Sequence, residues 1–423
     1  PRRGAPTTRR NAAVTTTTEP ATRTHYTFDV RPADFIHWTL AVDGDIARLT
    51  MNVQETKGLR DDYVLKLNSY DLGVDIELAS AVQWLRFTHP EVRCLVITGG
   101  LDRVFCSGAN ILMLRSSTHA FKVNFCKFTN ETRLGIEDAS EASHLKSVAA
   151  LNGTASGGGY ELALAADRII LVDDRSSAVS FPELPLLGVL PGTGGLTRVV
   201  DKRKVRRDLA DVFSTIAEGI KGKRAVKWKL VDAVAPLSKF DEVIAAEART
   251  LADSSPAMEA GQGVELPVVS PEFTDEGLAY EHVNVVFDAA ARSAAITITL
   301  PDAAGPTTAE ETHAAGGAWW PLAAFRELDD ALCHLRLEYL EVGTITLHTR
   351  GDPAVIRALD GLLESGQDHW FVNEVRHLIK RVLKRLDLTA RSLFAIADEN
   401  SCFVGTLLEL ALAADRVYLL NDP

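Results

Sequence analysis

The sequence predicts an α/β protein built from two copies of one unit. Three observations carry that prediction. Short apolar segments alternate with longer helical ones, as strands do when crossover helices join them. The stretch "ELALAADRII" at Glu161–Ile170 returns as "ELALAADRVY" at Glu409–Tyr418. Other blocks return in the same order, and self-similarity of this kind marks a duplicated architecture.

"WTLAVDGDIARLTMNV" (Trp38–Val53) alternates apolar and polar residues around a turn and predicts a hairpin. "VDIELASAVQWLRFTH" predicts a helix, and "VRCLVITGG" (Val92–Gly100) an apolar strand ending in glycines. The loop "VFCSGAN" and a long helical stretch follow. "SVAALNG" (Ser147–Gly153) predicts a strand that leads through Gly157, Gly158 and Gly159 into a helix from Tyr160, and "RIILV" (Arg168–Val172) another strand. Proline, glycine and acidic residues at 257–277 predict a linker. Beyond it "RSAAITITL" (Arg292–Leu300) parallels "DIARLTMNV", and Leu328–Asp352 parallels Ile76–Asp102. "SLFAIAD" then leads into the second "ELALAADR".

Composition removes several classes of function. A net charge of -12 argues against general nucleic-acid binding, which needs a basic surface. No apolar run reaches the length of a membrane span. Cys94, Cys106, Cys126, Cys333 and Cys402 are odd in number and scattered, which predicts reduced thiols in a cytoplasmic protein. Residues 1–26 are rich in Thr, Arg, Ala and Pro, lack an apolar signal core, and read as a disordered leader.

Glycines between a strand and a helix let main-chain N–H groups approach a ligand, and the helix N-terminus adds a positive dipole end. "SGGGYELALAAD" therefore suits an anion or a carbonyl oxygen gaining charge. A structural turn explains many such triplets equally well. A second small-residue loop, "FCSGAN" (Phe105–Asn110), follows the neighbouring strand, so two loops can aim N–H groups at one oxygen. Neither G-x-x-x-x-G-K-[ST] nor G-x-G-x-x-G occurs here, which leaves phosphate-loop and dinucleotide readings weak.

"FCSGANI", "NGTASGGGYELALAAD" and "FPELPLLGVLPGTGGLTRVV" resemble the three characteristic stretches of the crotonase (enoyl-CoA hydratase/isomerase) superfamily, in the same order. The resemblance covers roughly Phe28 to Pro256. It implies two crotonase-like ββα-repeat units, the second degenerate and cut short at Pro423. The implied divisions are a leader (1–26), a catalytic domain (27–256), a linker (257–277) and an incomplete second unit (278–423).

By the same resemblance, the N–H groups of Ala109 and Gly158 form an oxyanion hole for a coenzyme A thioester. Glu161 and Glu183 would manage water, since hydration needs a proton acceptor and a proton donor. Burial near Phe181 and Leu184 would raise one of the two pKa values toward neutrality. Ser107, Gly108, Gly157 and Tyr160 are further candidates for substrate contact. Tyr160 stands where many hydratases have Cys and either shapes the acyl pocket or packs in the core; Asn110 stands where many have Asp. "KFTNETR" (Lys127–Arg133) either lines that pocket or forms a polar helix surface. The basic islands Thr197–Asp208 and Lys221–Lys229 would steer coenzyme A phosphates or stay solvated.

The fused second unit narrows the resemblance. The resemblance so narrowed implies ring opening of 2,3-epoxybenzoyl-CoA with two waters, giving 3,4-didehydroadipyl-CoA semialdehyde and formate. No metal or redox cofactor is implied, coenzyme A being part of the substrate, and a homodimer is expected. The competing readings are a simple enoyl-CoA hydratase and a non-catalytic acyl-CoA-binding scaffold. In the second copy, Thr406 and Leu407 replace Gly158 and Gly159, so that copy is expected to be inactive.

Overall fold

The computed structural model describes residues 25–421. The leader at 1–26 thus lies, apart from His25 and Tyr26, outside the described residues. Those two are docked onto the second unit. His25 pairs with Glu338 at 3.0 Å and stacks on Phe273, and the Tyr26 N–H donates to Glu338.

The first unit runs β1 (Trp38–Asp43), β2 (Ile46–Met51), α1 (Leu72–Thr88), β3 (Cys94–Gly99), β4 (Arg103–Cys106), α2 (Ile111–Ser116) and α3 (His119–Ala142). It continues with β5 (Lys146–Leu151), β6 (Gly153–Ser156), α4 (Gly158–Ala165), β7 (Arg168–Asp173), β8 (Ala178–Ser180) and α5 (Glu183–Leu187). Then come α6 (Arg207–Ser214), β9 (Ile220–Lys221), α7 (Gly222–Lys227), β10 (Ala233–Pro236) and α8 (Phe240–Asp253).

The hairpin β1–β2 turns at Gly44, whose φ of +58° is the left-handed conformation a glycine adopts freely. A six-stranded sheet in the order β1-β2-β3-β5-β7-β10 follows, parallel from β2 onward. A smaller sheet has the order β9-β8-β6-β4. Each of β3, β5 and β7 passes its chain to the small sheet within a few residues, and this two-strand step generates the ββα repeat. Asn152 pins the corner: its side chain accepts from the Gly99 N–H at 3.1 Å and donates to the Leu101 carbonyl at 2.8 Å. The helix predicted from Tyr160 starts two residues earlier, at Gly158, because the glycines themselves form its first turn.

The second unit comprises β11 (Glu272–Phe273), β12 (Gly277–Ala279), β13 (Val283–Asp288), β14 (Ser293–Thr299), α9 (Ala309–Ala315) and α10 (Trp320–Leu337). Next are β15 (Thr344–Arg350), α11 (Pro353–Ser365), α12 (Trp370–Asp387), β16 (Ser392–Ala397), α13 (Leu408–Ala413) and β17 (Arg416–Leu419). Strands β11 to β17 form one sheet in chain order, parallel from β14 onward. The duplication reaches single hydrogen bonds. Glu77 accepts the N–H groups of His37 and Trp38, and Glu327 accepts those of His282 and Val283. Asp167 accepts the Ser147 N–H, and Asp415 the Leu393 N–H, both at 2.8 Å. Among the described residues, the second unit has no counterpart of the small sheet.

The units share their cores. Cys333 and Leu337 of α10 join the first unit's cluster, and Phe87 of α1 joins the second's. The stretch 257–277 is anchored and not a free tether: the Val264 N–H donates to the Phe87 carbonyl at 2.8 Å, and its last residues enter β11 and β12. Acids of α3 meet basic residues of α1, α10 and α12. Asp138 pairs with Arg86 at 2.9 Å, Arg381 at 2.8 Å and Lys380, and Glu131 pairs with Arg336 at 2.8 Å. Burial opposes ionisation of Asp138, yet Arg86, Arg381 and Lys380 outweigh it and hold the carboxyl well below its usual range. Asp138→Asn is expected to lower stability by about 2 kcal/mol, because charge-assisted bonds to buried cations are replaced by neutral ones. A urea titration at pH 7 checks this, and an unshifted midpoint would mean the pairs contribute nothing.

Candidate active site

Each glycine of the triplet admits a different group. Gly157 has φ +55°, and its N–H donates to the Ser180 carbonyl at 2.9 Å. A Cβ there would lie 2.9 Å from the Glu183 Oε1, one at Gly158 would lie 2.0 Å from the Tyr70 hydroxyl oxygen, and one at Gly159 would lie 2.4 Å from the Cys106 carbonyl oxygen. The triplet is therefore a surface against which a carboxylate, a phenol and a strand end are packed.

The two small-residue loops touch. At Gly108, with φ +92°, a Cβ would lie 3.0 Å from the Gly158 nitrogen. Gly108–Ala109 pairs in parallel with Ser69–Tyr70, and the Asn110 N–H donates to the Tyr70 carbonyl at 2.8 Å. Successive N–H groups of an extended chain point to opposite sides, so this bond turns the Ala109 N–H away from Ser69–Tyr70. Asn110 caps α2 through Met113 N–H at 2.9 Å and donates to the Val64 carbonyl at 2.8 Å, so it serves to fasten the loop.

Glu161 is buried, and three donors meet its carboxylate: Thr193 N–H at 3.0 Å, Gly195 N–H at 2.8 Å, and the Thr193 hydroxyl. Arg198 fixes that loop by donating to the Thr193 carbonyl at 3.0 Å, and Glu137 of α3 grips Arg198 through both oxygens at 2.9 Å. Glu183 opens α5, and its Oε2 is buried with no hydrogen-bond partner. Burial pushes its pKa up to about 7, and the charge of Glu161 adds to the rise. The two carboxylates are thus chemically distinct: one is saturated by donors, the other is half unsatisfied and titrates near neutrality.

Several sequence candidates lie elsewhere. Tyr160 is fully buried, donates to the Leu230 carbonyl at 2.7 Å and packs against Phe181 and Phe213. It is a core aromatic, and the pocket-wall reading is corrected. The Ser107 hydroxyl reaches the Lys66 carbonyl at 3.4 Å, holding the loop. Residues of "KFTNETR" act as a staple: Arg133 pairs with Asp75 at 2.6 Å, and Lys127 donates to the Leu388 carbonyl. In the basic island Thr197–Asp208, Arg198 and Lys202 pair with Glu137, Arg203 with Asp232 and Arg206 with Asp208. Lys221, Lys223 and Lys227 are exposed. Sequence reasoning missed Thr193 and Tyr70; the glycines of "PGTGG" were the one signal for the former. Glu281, His282 and Glu327 bring potential metal ligands together, but they sit in the second unit, with Glu327 already bonded to main-chain N–H groups.

The family model for enoyl-CoA hydratase/isomerase matches residues 65–261. The chain is 54% identical to the benzoyl-CoA-dihydrodiol lyase of Aromatoleum evansii over 394 residues, spanning 93% of this chain and 71% of that protein. It is 29% identical to the carnitinyl-CoA dehydratase of Proteus mirabilis over 194 residues, which is 45% of this chain and 69% of that one. Among solved structures, an enoyl-CoA hydratase of Geobacillus kaustophilus aligns at 30% identity over 52% of this chain and 75% of its own, with a TM-score of 0.45.

Proposed function

The chain belongs to the enoyl-CoA hydratase/isomerase family, and from that premise we propose that it is a lyase opening the ring of 2,3-epoxybenzoyl-CoA. Two waters enter, and 3,4-didehydroadipyl-CoA semialdehyde and formate leave. The 54% identity to a benzoyl-CoA-dihydrodiol lyase supports the substrate class. The observation that carries the chemistry is the meeting of two N–H-bearing glycine loops beside two carboxylates of unlike character.

The thioester oxygen sits at the Ala109 and Gly158 N–H groups, which draw electron density from the ring as charge grows there. Glu183, poised near neutral pH, carries protons: it takes one from an attacking water and returns it to the opening epoxide oxygen. Glu161 holds and orients water, its own position set by Thr193, Gly195 and, through Thr193, Arg198. Ser107 and Gly108 shape the loop, and Gly157 leaves room for Glu183. Lys221, Lys223 and Lys227 are the exposed cations that suit coenzyme A phosphates.

We read the second unit as non-catalytic. Gly405 repeats the φ of +55° seen at Gly157, but Asp360 accepts the Thr406 N–H at 2.8 Å, where the first unit offers the Gly158 N–H to substrate. Glu409, the counterpart of buried Glu161, is exposed. Asp360→Ala is expected to leave formate release within about twofold while lowering the melting temperature, since only structural bonds to the Thr406 N–H and hydroxyl are lost. A large loss of turnover in that variant would make the second unit part of the catalytic machinery.

Among the described residues, no helix is long and apolar enough to cross a membrane. A cytoplasmic homodimer remains our reading, supported by the scattered free thiols and by the exposed apolar residues Leu186, Leu187, Val189 and Leu190. The deciding experiment supplies 2,3-epoxybenzoyl-CoA and measures formate, with crotonyl-CoA hydration alongside. Formate establishes the ring-opening lyase, and hydration of crotonyl-CoA alone makes the protein a hydratase. Binding without turnover of either ester favours a scaffold.

A further inference from the structure

We propose that Tyr70 is a third hydrogen-bond donor to the thioester oxygen, beside the main-chain N–H groups of Ala109 and Gly158. The inference rests on the acyl-CoA reading of the site. Tyr70 is 1% exposed, and its hydroxyl donates to no group among the described residues, though the oxygen is not one of the fully enclosed polar atoms. A hydroxyl on so buried a ring gains from a partner, and a ligand oxygen beside Gly158 would supply one.

Its placement says what that something is. The hydroxyl lies against Gly158 so closely that an added Cβ would sit 2.0 Å from it. Through its main chain, Tyr70 belongs to the short pairing that also carries Gly108 and Ala109. The phenol is therefore tied to both elements of the oxyanion hole.

Cys106 and Glu161 are already engaged by other groups. Cys106 Sγ contacts the Asn68 carbonyl at 3.0 Å and accepts the Gly108 N–H at 3.3 Å. Glu161 is met by its own three donors. On the far side, the guanidinium of fully buried Arg133 lies over the ring at 5.1 Å and pairs with Asp75 at 2.6 Å, while Phe125 packs alongside. The ring is clamped in place, as a preorganised donor must be. Burial also pushes the phenol's pKa well above its usual value, so the O–H stays protonated and able to donate.

Tyr70→Phe removes the oxygen and keeps the ring. The expected result is a fall in kcat of about tenfold or more with KM nearly unchanged, and a melting temperature close to that of the wild type, because the hydroxyl makes no hydrogen bond within the protein. A second measurement needs no turnover: the infrared carbonyl band of bound benzoyl-CoA labelled with carbon-13 at the thioester. In wild-type protein it should move to lower frequency on binding, and in Tyr70→Phe the displacement should shrink. An identical band with kcat within twofold overturns the proposal, as does a lowered melting temperature with an unchanged band, which assigns Tyr70 to packing. Should the wild type release no formate while the band still responds to Tyr70→Phe, the ring-opening reading falls and the donor assignment stands. Should benzoyl-CoA fail to bind the wild type, both fall.

Discussion

Glu183→Gln is expected to cut formate release by about 10³-fold, within the range for loss of a general acid–base group, and at the same time to make the protein more stable at pH 8. Burial raises the Glu183 pKa from an ordinary carboxylate value to about 7, so between those two values the folded state holds a proton that the unfolded state has released. Stability therefore falls as pH rises through that window, and above it the buried charge is fully unfavourable. Glutamine has no such charge, and the gain should be about 2 kcal/mol at pH 8 and near zero at pH 4. Glu161→Gln should lose activity comparably but with the opposite effect on stability. Its amide oxygen would still accept the Thr193 and Gly195 N–H groups, which share one carboxylate oxygen, and its NH₂ would face the Thr193 hydroxyl, so what is lost is the charge of those bonds, about 1 kcal/mol. Urea denaturation of both variants at pH 4, 6 and 8, with formate measured beside it, separates the two roles. Equal stability changes at every pH would overturn the assignment of the titrating carboxylate. The pH–rate profile of the wild type should show an inflection near 7, which Glu183→Gln abolishes.

What could be read in the sequence was whatever a local pattern records. The glycine triplet, the loop Phe105–Asn110 and the two glutamates lie in contiguous stretches whose residue types state their geometry, and the structure brings these loops and carboxylates together. The repeat could be read too, because the same alternation of apolar residues builds β2 and β14, and the same aspartate closes the step from β5 to β7 and from β16 to β17. Tyr70 left no local signal, and Thr193 only the glycines around it. Each is distant in sequence from the group it serves, and only the short Ser69–Tyr70 pairing and the loop after α5 deliver them. The basic island Thr197–Asp208 misled for the complementary reason. Charge along a chain is visible, but the partners Glu137 and Asp232 that absorb it come from other elements. Asp360 was hidden likewise, since nothing near it in sequence says that it covers the Thr406 N–H.

Gly158→Ala is expected to lower formate release by about 10²–10³-fold, the range for loss of one oxyanion donor, although the main-chain N–H itself survives. The new methyl would sit 2.0 Å from the Tyr70 oxygen and 2.8 Å from its Cζ. The ring has nowhere to go, because Arg133 and Phe125 hold its other side. The first turn of α4 must therefore move instead, carrying the N–H off its line, with an overpacking cost of about 1–3 kcal/mol. Tyr70→Phe in the same chain relieves the shortest contact, so the double variant should recover part of the lost stability. It should not recover rate, because it lacks the phenol donor and still has a displaced helix start. Measuring melting temperature and kcat for the two single variants and the double one isolates the coupling between the residues. Additive stability changes would mean that the methyl never meets the hydroxyl, and full recovery of turnover in the double variant would mean that the glycine is needed only to make room for the ring.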